Sequence, residues 1–226
     1  MATTKNIIMK QFNGTDYDIL YPKTVYSQVS GVAPAGYGLG GVGKQVTDMN
    51  NAQESGFYSA LGASNLPPNV ESVQYGSVLV LCSQADRVTQ VYFQDVTDGT
   101  GAIVVRRLNG NGWSQWEFIN PPMKLGIEYR TTERYQGKPV YVKLVNLGNC
   151  PSSSYKNVTV LGNTEVGFRC EGTWTYGGGS TLPFESSSSD RMEIAIIDKN
   201  VRIFTGGKDF STYTAKATIY YTKTTD

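Results

Sequence analysis

Ala215-Lys-Ala-Thr-Ile-Tyr-Tyr221 puts Ala215, Ala217, Ile219 and Tyr221 on one parity, with Lys216 and Thr218 between them. Successive side chains of an extended chain point to opposite faces, so a period of two in hydrophobicity reads as a strand with one face buried. The pattern recurs upstream. Met192, Ile194 and Ile196 share a parity, as do Val166, Phe168, Cys170 and Trp174, and Val140, Val142 and Leu144 alternate with Tyr141 and Lys143. Alternation repeated from Leu125 onward, with Gly-rich turns between, predicts a β-sandwich over residues 123–226 with one face of each sheet inward. No helix is required.

Residues 44–122 form a second unit. Thr47-Asp48 is placed to cap a turn of helix over Met49 to Gln53, Phe57 to Leu61 reads as a short strand, and Ser77 to Cys82, Val88 to Phe93 and Ala102 to Leu108 as stronger ones. Turns at Asp98-Gly99 and Asn109-Gly-Asn-Gly112 lead the chain back on itself and into Trp113 to Ile119. The prediction is a small antiparallel domain with at most one short helix, closed at Pro121-Pro122. Ahead of it, residues 1–30 carry Ile7, Ile8, Phe12, an Asn13-Gly14 turn and Tyr17 to Tyr21, a hairpin too small to stand alone in water. Residues 31–43, rich in Gly and Pro, read as a linker. The fold class is therefore mainly β: an N-terminal attachment hairpin, a small domain and a C-terminal sandwich.

Composition removes many functions. Lys and Arg number 20 against 19 Asp and Glu, a net charge of +1 without like-charge blocks, which gives no support to binding nucleic acid or an anionic membrane. With no histidine, imidazole bases and Ser-His-Asp chemistry are absent, and three cysteines cannot close a four-thiolate site. Cys82 and Cys170 read as buried, inert thiols. No cofactor or metal is expected, and Asp16/Asp18 and Asp95/Asp98, the closest acidic pairs, fall at turns. The N-terminus lacks a signal-peptide core and no stretch is long enough to span a bilayer, so insertion in a membrane is not expected.

A binder remains, with aromatic faces packing on sugar or peptide while amides and hydroxyls orient the ligand. Thr175 to Asp190 is long for a loop and is the leading candidate site. Tyr176, Phe184 and Tyr155 lie outside clear strands and are its expected anchors, helped by the loops Asn149 to Asn157 and Thr205 to Tyr213. Trp174 either joins them or closes the core, since it keeps the parity of Cys170. Trp113 and Trp116 are spaced so that, in a strand, they face opposite sides.

One ordered set of motifs goes further. Asp48-Met-Asn-Asn51, Ser55-Gly-Phe-Tyr-Ser59, Tyr75-Gly-Ser-Val-Leu-Val80, Val88-Thr-Gln-Val-Tyr-Phe93, Arg106 to Asn111 and Trp113-Ser-Gln-Trp-Glu-Phe-Ile119 resemble, in order and spacing, the pyocin-knob module of phage tail fibres and R-type bacteriocin fibres. Lys5 to Tyr21 resembles the start of tail-fibre and baseplate-attached proteins from phages of Gram-positive gut bacteria. Tyr129 to Val142, with Ala215 to Lys223, is similar to the C-terminal sandwich of those proteins. The resemblance implies a component of the virion tail, homotrimeric, attached to tail or baseplate proteins through its N-terminus and meeting a bacterial surface polysaccharide at its far end. It supplies no catalytic residue. A purely structural tail or baseplate decoration protein is the alternative, and a glycan depolymerase the third, for which no convincing acid pair is present.

Overall fold

Period two carries most of the chain into strands. The computed structural model describes residues 9–12, 14–20, 43–69, 75–95, 101–159, 162–175, 179–185 and 187–225. The first hairpin is β1 (Met9–Phe12) against β2 (Tyr17–Leu20), in register Phe12 to Tyr17 and Met9 to Leu20. Ile7, Ile8, Tyr21, linker residues 31–42 and the Asp98-Gly99 turn lie outside the described residues. Then follow β3 (Lys44–Gln45), a 3-10 turn at Met49–Asn51, β4 (Gly56–Ser59), β5 (Gly76–Gln84), β6 (Arg87–Gln94), β7 (Ile103–Asn109) and β8 (Glu117–Phe118). The remaining strands are β9 (Glu128–Tyr135), β10 (Lys138–Asn149), β11 (Tyr155–Thr159), β12 (Thr164–Thr175), β13 (Gly179–Leu182), β14 (Phe184–Glu185), β15 (Arg191–Ile197), β16 (Asn200–Thr205) and β17 (Thr214–Lys223).

Eleven of these form one sheet in the order β13-β12-β17-β10-β9-β8-β7-β6-β5-β4-β3, antiparallel except at β3–β4 and β8–β9. Its edge strands, β3 and β13, have two and four residues. A four-stranded sheet, β11-β16-β15-β14, covers the β13-to-β10 end, with β15 against β12. The two sheets close tightly where side chains vanish. A Cβ on Gly172 would lie 2.6 Å from the Ile194 Cδ1, and one on Gly167 2.7 Å from the Ile196 Cγ2. The chain breaks at Pro121-Pro122, but the sheet does not, since Phe118 of β8 pairs with Thr131 of β9.

The sheet has two cores. The first lies over β4–β8: Val78 and Val80 of β5 alternate with exposed Ser77 and Leu81, and Val88, Gln90 and Tyr92 of β6 face the same way. Each fully buried Val stabilises by about 1.5–3 kcal/mol. The 3-10 turn lids this core through Met49 and Ala52. Asp48 caps it, as expected, accepting from the Asn50 amide at 2.8 Å. The second core, between the two sheets, contains Ala215, Ala217, Ile219 and Tyr221, as their parity predicts, with Met192, Val201 and Ile203 opposite.

Three expectations about the sandwich are corrected. On β10 the face turned to the sandwich core carries Tyr141, Val145 and Leu147, while Val142, on the other parity, packs into the first core beside Tyr129. The strand is covered on both faces, so its alternation cannot say which side is inside. Register shifts between Thr164 and Val166 and between Gly167 and Arg169 break the parity of β12: Val166 is exposed and Phe168 stacks on Tyr135 at 4.1 Å, leaving Cys170 and Trp174 on the core. Thr175 to Asp190 is not one loop. Its described residues make β13, paired with β12, and β14, paired with β15, and the chain crosses between the sheets at the cis Leu182-Pro183 bond with Leu182 buried.

All three cysteines are free, and burial pushes the Cys170 thiol up to about 12. Between the cores, Glu128 accepts from the Tyr221 hydroxyl and from the Lys223 ammonium.

Gln90 joins lid and sheet. Fully buried, it donates to the carbonyls of Met49 and Ala52, both at 2.7 Å, and accepts from the Arg106 Nε at 2.9 Å. Gln90→Leu keeps the volume but strands three polar groups. It is expected to destabilise by about 3 kcal/mol or more. At about 2–4 °C per kcal/mol for a chain of this size, that is a fall in melting temperature of roughly 10 °C by calorimetry.

Candidate functional site

Arg106 sits on the core side of β7 with Val104 and Leu108 and is only 5% exposed. A buried guanidinium costs several kcal/mol unless its charge is met. Here it lies over the Trp113 ring at 4.2 Å and the Trp116 ring at 4.4 Å, while Gln90 accepts a hydrogen bond from its Nε. Burial pulls it down to about 10, against the opposing pull of Asp48. Asp48 is held below the usual carboxylate range by the amides of Asn65 and Asn50. Trp116 donates its indole N–H to the Asn65 carbonyl at 3.0 Å. The two tryptophans expected on opposite sides of a strand thus close on one cation. Residues 113–116 make no strand there, only the bridge of Trp113 to Leu108.

Trp113 forms one wall of a groove of about 880 Å³. Its floor comes from cross-strand neighbours on the face opposite the first core, Leu81 of β5, Thr89 of β6 and Arg107 of β7. Ser83, Arg87, Asn109 and Ser114 rim it, and at the β8–β9 seam it is closed by Glu117, Arg130 and Arg134. Buried Glu117 accepts from the Arg130 Nε at 3.1 Å and from an Arg134 Nη at 2.6 Å, both on one oxygen. Burial alone would lower the Arg130 guanidinium, but bonds to the Tyr141 hydroxyl and Glu117 raise it. Arg87 pairs with Asp86 at 2.9 Å. Arg107 is exposed, and its guanidinium has no acidic partner among the described residues.

The groove therefore presents an indole, hydroxyls, amides and fixed guanidinium groups on a rigid sheet. Among the described residues no group of three or more His, Cys, Asp or Glu side chains could hold a metal. Sequence reasoning passed this site over. Its cations are scattered from residue 87 to residue 134, and of its aromatic and charged residues only Trp113 was weighed for exposure on its own, Arg106 to Asn111 and Trp113 to Ile119 being read as motif runs.

Of the anchors expected in the sandwich, the side chains of Trp174 and Tyr155 are described. Trp174 packs on the second core, edge-on to Tyr213 at 5.0 Å. Tyr155 stands on the outer face of β11, 56% exposed, with the Arg202 guanidinium over its ring at 4.7 Å and Phe204 beside it. Phe184 lies in β14 opposite Met192, its side chain outside the described part, and Tyr176 is outside the described residues altogether. The Asn149–Asn157 and Thr205–Tyr213 loops and the end of the 175–190 segment do meet at one end of the sandwich. Ser153 donates to the Gly207 carbonyl at 2.8 Å, Asn149 to that of Ser211 at 2.9 Å, and Lys208 pairs with Asp190 at 3.3 Å.

No protein-family model and no curated protein matches the chain. Among solved structures it is similar to an N-truncated R2-type pyocin tail fibre, at 12% identity over 78% of this chain and 94% of that one, TM-score 0.27. It is also similar to the C-terminal part of the Pseudomonas aeruginosa R1 pyocin fibre, at 11% identity over 90% and 71%, TM-score 0.31. The corresponding part of the R2 fibre from the same organism gives 11% identity over 80% and 68%, TM-score 0.27.

Glu117 is the post to which both seam arginines are tied. Glu117→Gln leaves two guanidinium groups facing one neutral amide and is expected to cost about 2–3 kcal/mol. A thermal melt should fall by about 4–12 °C, and no change would mean that the seam is held by the sheet alone.

Proposed function

We propose that this chain is a non-enzymatic tail fibre or receptor-binding protein of a phage or phage-like particle, attaching the particle to a glycan of a bacterial surface. The observation that carries this reading is the groove beside Trp113, where an indole, hydroxyls, amides and guanidinium groups meet in an open trough on a rigid sheet. Such a lining suits a sugar chain, whose apolar faces pack on aromatic rings while its hydroxyls take hydrogen bonds. The motif order from Asp48 to Ile119 supports it, since Trp113 and Ser114 stand in the run that resembles the pyocin knob. Attachment to tail or baseplate proteins falls to the N-terminal hairpin.

A decorating role without a receptor is the second reading. Phe57, Leu81, Phe93 and Ile119 are all large, apolar and exposed on this half of the chain, as they would be if another protein covered them.

Binding of the labelled full-length chain to host cells tests the choice. Trp113→Ala is expected to weaken binding about thirtyfold, the effect of losing a hot-spot aromatic worth about 2 kcal/mol, at a temperature where melting curves show both proteins folded. Tyr155→Ala and Tyr176→Ala should leave it unchanged. The reverse pattern moves the site to the sandwich, and absence of any binding favours the decorating role.

A lone two-stranded hairpin is marginal in water, so the β1–β2 segment is expected to join three chains. Mass photometry should show a species of three chain masses at micromolar concentration, and a single-chain species would overturn the trimer.

A further inference from the structure

Resting on that attachment reading, we infer that the groove takes an acidic glycan, with a negatively charged substituent of the sugar chain held by Arg107 and Arg134 beside Trp113. The starting point is an imbalance. The whole chain carries 20 basic against 19 acidic residues, yet the groove is lined by four arginines and a single acid, Glu117. Glu117 is shared, the bonds from Arg130 and Arg134 both falling on one of its oxygens. Arg87 is answered from outside by Asp86, whereas Arg107 has no such answer among the described residues. The unmet charge thus lies at Arg107, with Arg134 also bordering the trough.

Position favours the same use. The Arg107 amide donates to the Ser114 hydroxyl at 3.0 Å and its carbonyl accepts from the Ser114 amide at 2.8 Å, which locks the segment carrying Trp113 against the strand carrying Arg107. Arg134 is tied by Glu117 and by the carbonyls of Thr131 and Glu133 at 3.3 and 2.9 Å. The Arg134 guanidinium, held in place before the ligand arrives, loses little freedom on binding, and the planar fork of either arginine matches a carboxylate or a phosphate. A charge-rich wall facing an indole is a poor fit for a neutral glycan, which would leave Arg107 desolvated and unanswered. A nucleic acid would also need basic residues beyond the groove, and a chain of net charge +1 offers little field to gather it.

The test uses the full-length protein and surface polysaccharide isolated from the host in three forms: intact, freed of phosphate by hydrofluoric acid, and with its carboxyls reduced after carbodiimide activation. Binding is measured by biolayer interferometry, with adhesion to whole cells in parallel. We expect one of the two treatments to weaken binding about tenfold or more, which names the anion as phosphate or carboxylate. Arg107→Gln should cause a similar loss on intact polymer without moving the melting temperature, the equivalent of one charge-assisted hydrogen bond. Half-molar salt should reproduce it, because exposed charges are then screened within a few ångströms. Equal binding to all three polymers, with Arg107→Gln silent, overturns the acidic ligand and leaves attachment to a glycan standing. Equally tight retention of duplex DNA overturns it too. Failure to bind either cells or any polymer removes the attachment reading itself.

Discussion

A guanidinium in the interior of a small β-domain needs a reason to stay charged, and half of this chain is arranged to supply one. Arg106 has its Nε satisfied by Gln90, its flat faces near two indoles and its charge opposed at a distance by Asp48. Each partner has a second duty. Gln90 fastens the 3-10 turn, Asp48 caps that same turn, Trp116 reaches across to Asn65, and Trp113 becomes the wall of the groove. A hydrophobic replacement of equal volume would satisfy packing, but it would orient none of these four. The cation is better understood as the reference point that sets where the lid, the loop and the groove stand relative to the sheet.

The second organising fact is that one sheet serves two interiors on opposite faces. At the β4–β8 end the buried face looks toward the 3-10 turn, and at the other end the opposite face looks toward the four-stranded sheet. Strand β10 is where the change is made, with Val142 committed to one interior and Tyr141, Val145 and Leu147 to the other. The exposed groove follows from this inversion. Beyond the last strand covered by the second sheet, the same face runs on uncovered, and Arg130, Glu117 and Arg107 lie along it in successive strands.

What could be read beforehand tracks how local the cause is. The strands around Val78, Tyr92 and Ile219 were legible because a single buried face imposes period two, and Asp48 was legible as a cap because capping needs only neighbours in sequence. The inward face of β10 was not, since a strand buried on both sides carries no asymmetry to read. Residues 175–190 misled through their composition: Gly and Ser suggested a loop where pairing with β12 and β15 supplies two short strands. The groove was invisible for a different reason. A net charge of +1 averages over the chain, and the four arginines that concentrate there are brought together only by the order of strands β6 to β9.

A sheet of eleven strands would ordinarily be an invitation to polymerise, because each open edge displays unpaired amides and carbonyls to any passing strand. Here the edge strands are segments of two and four residues, and β13 covers only Gly172 to Thr175 of β12, so Thr164 to Glu171 has no strand beside it on that side among the described residues. What blunts that stretch is its irregularity, since register shifts between Thr164 and Val166 and between Gly167 and Arg169 bend it, and Glu165, Arg169 and Glu171 put charge along it. A bent and charged margin is a poor template for a second copy of the same strand, so crowding alone does not knit such sheets into a fibril.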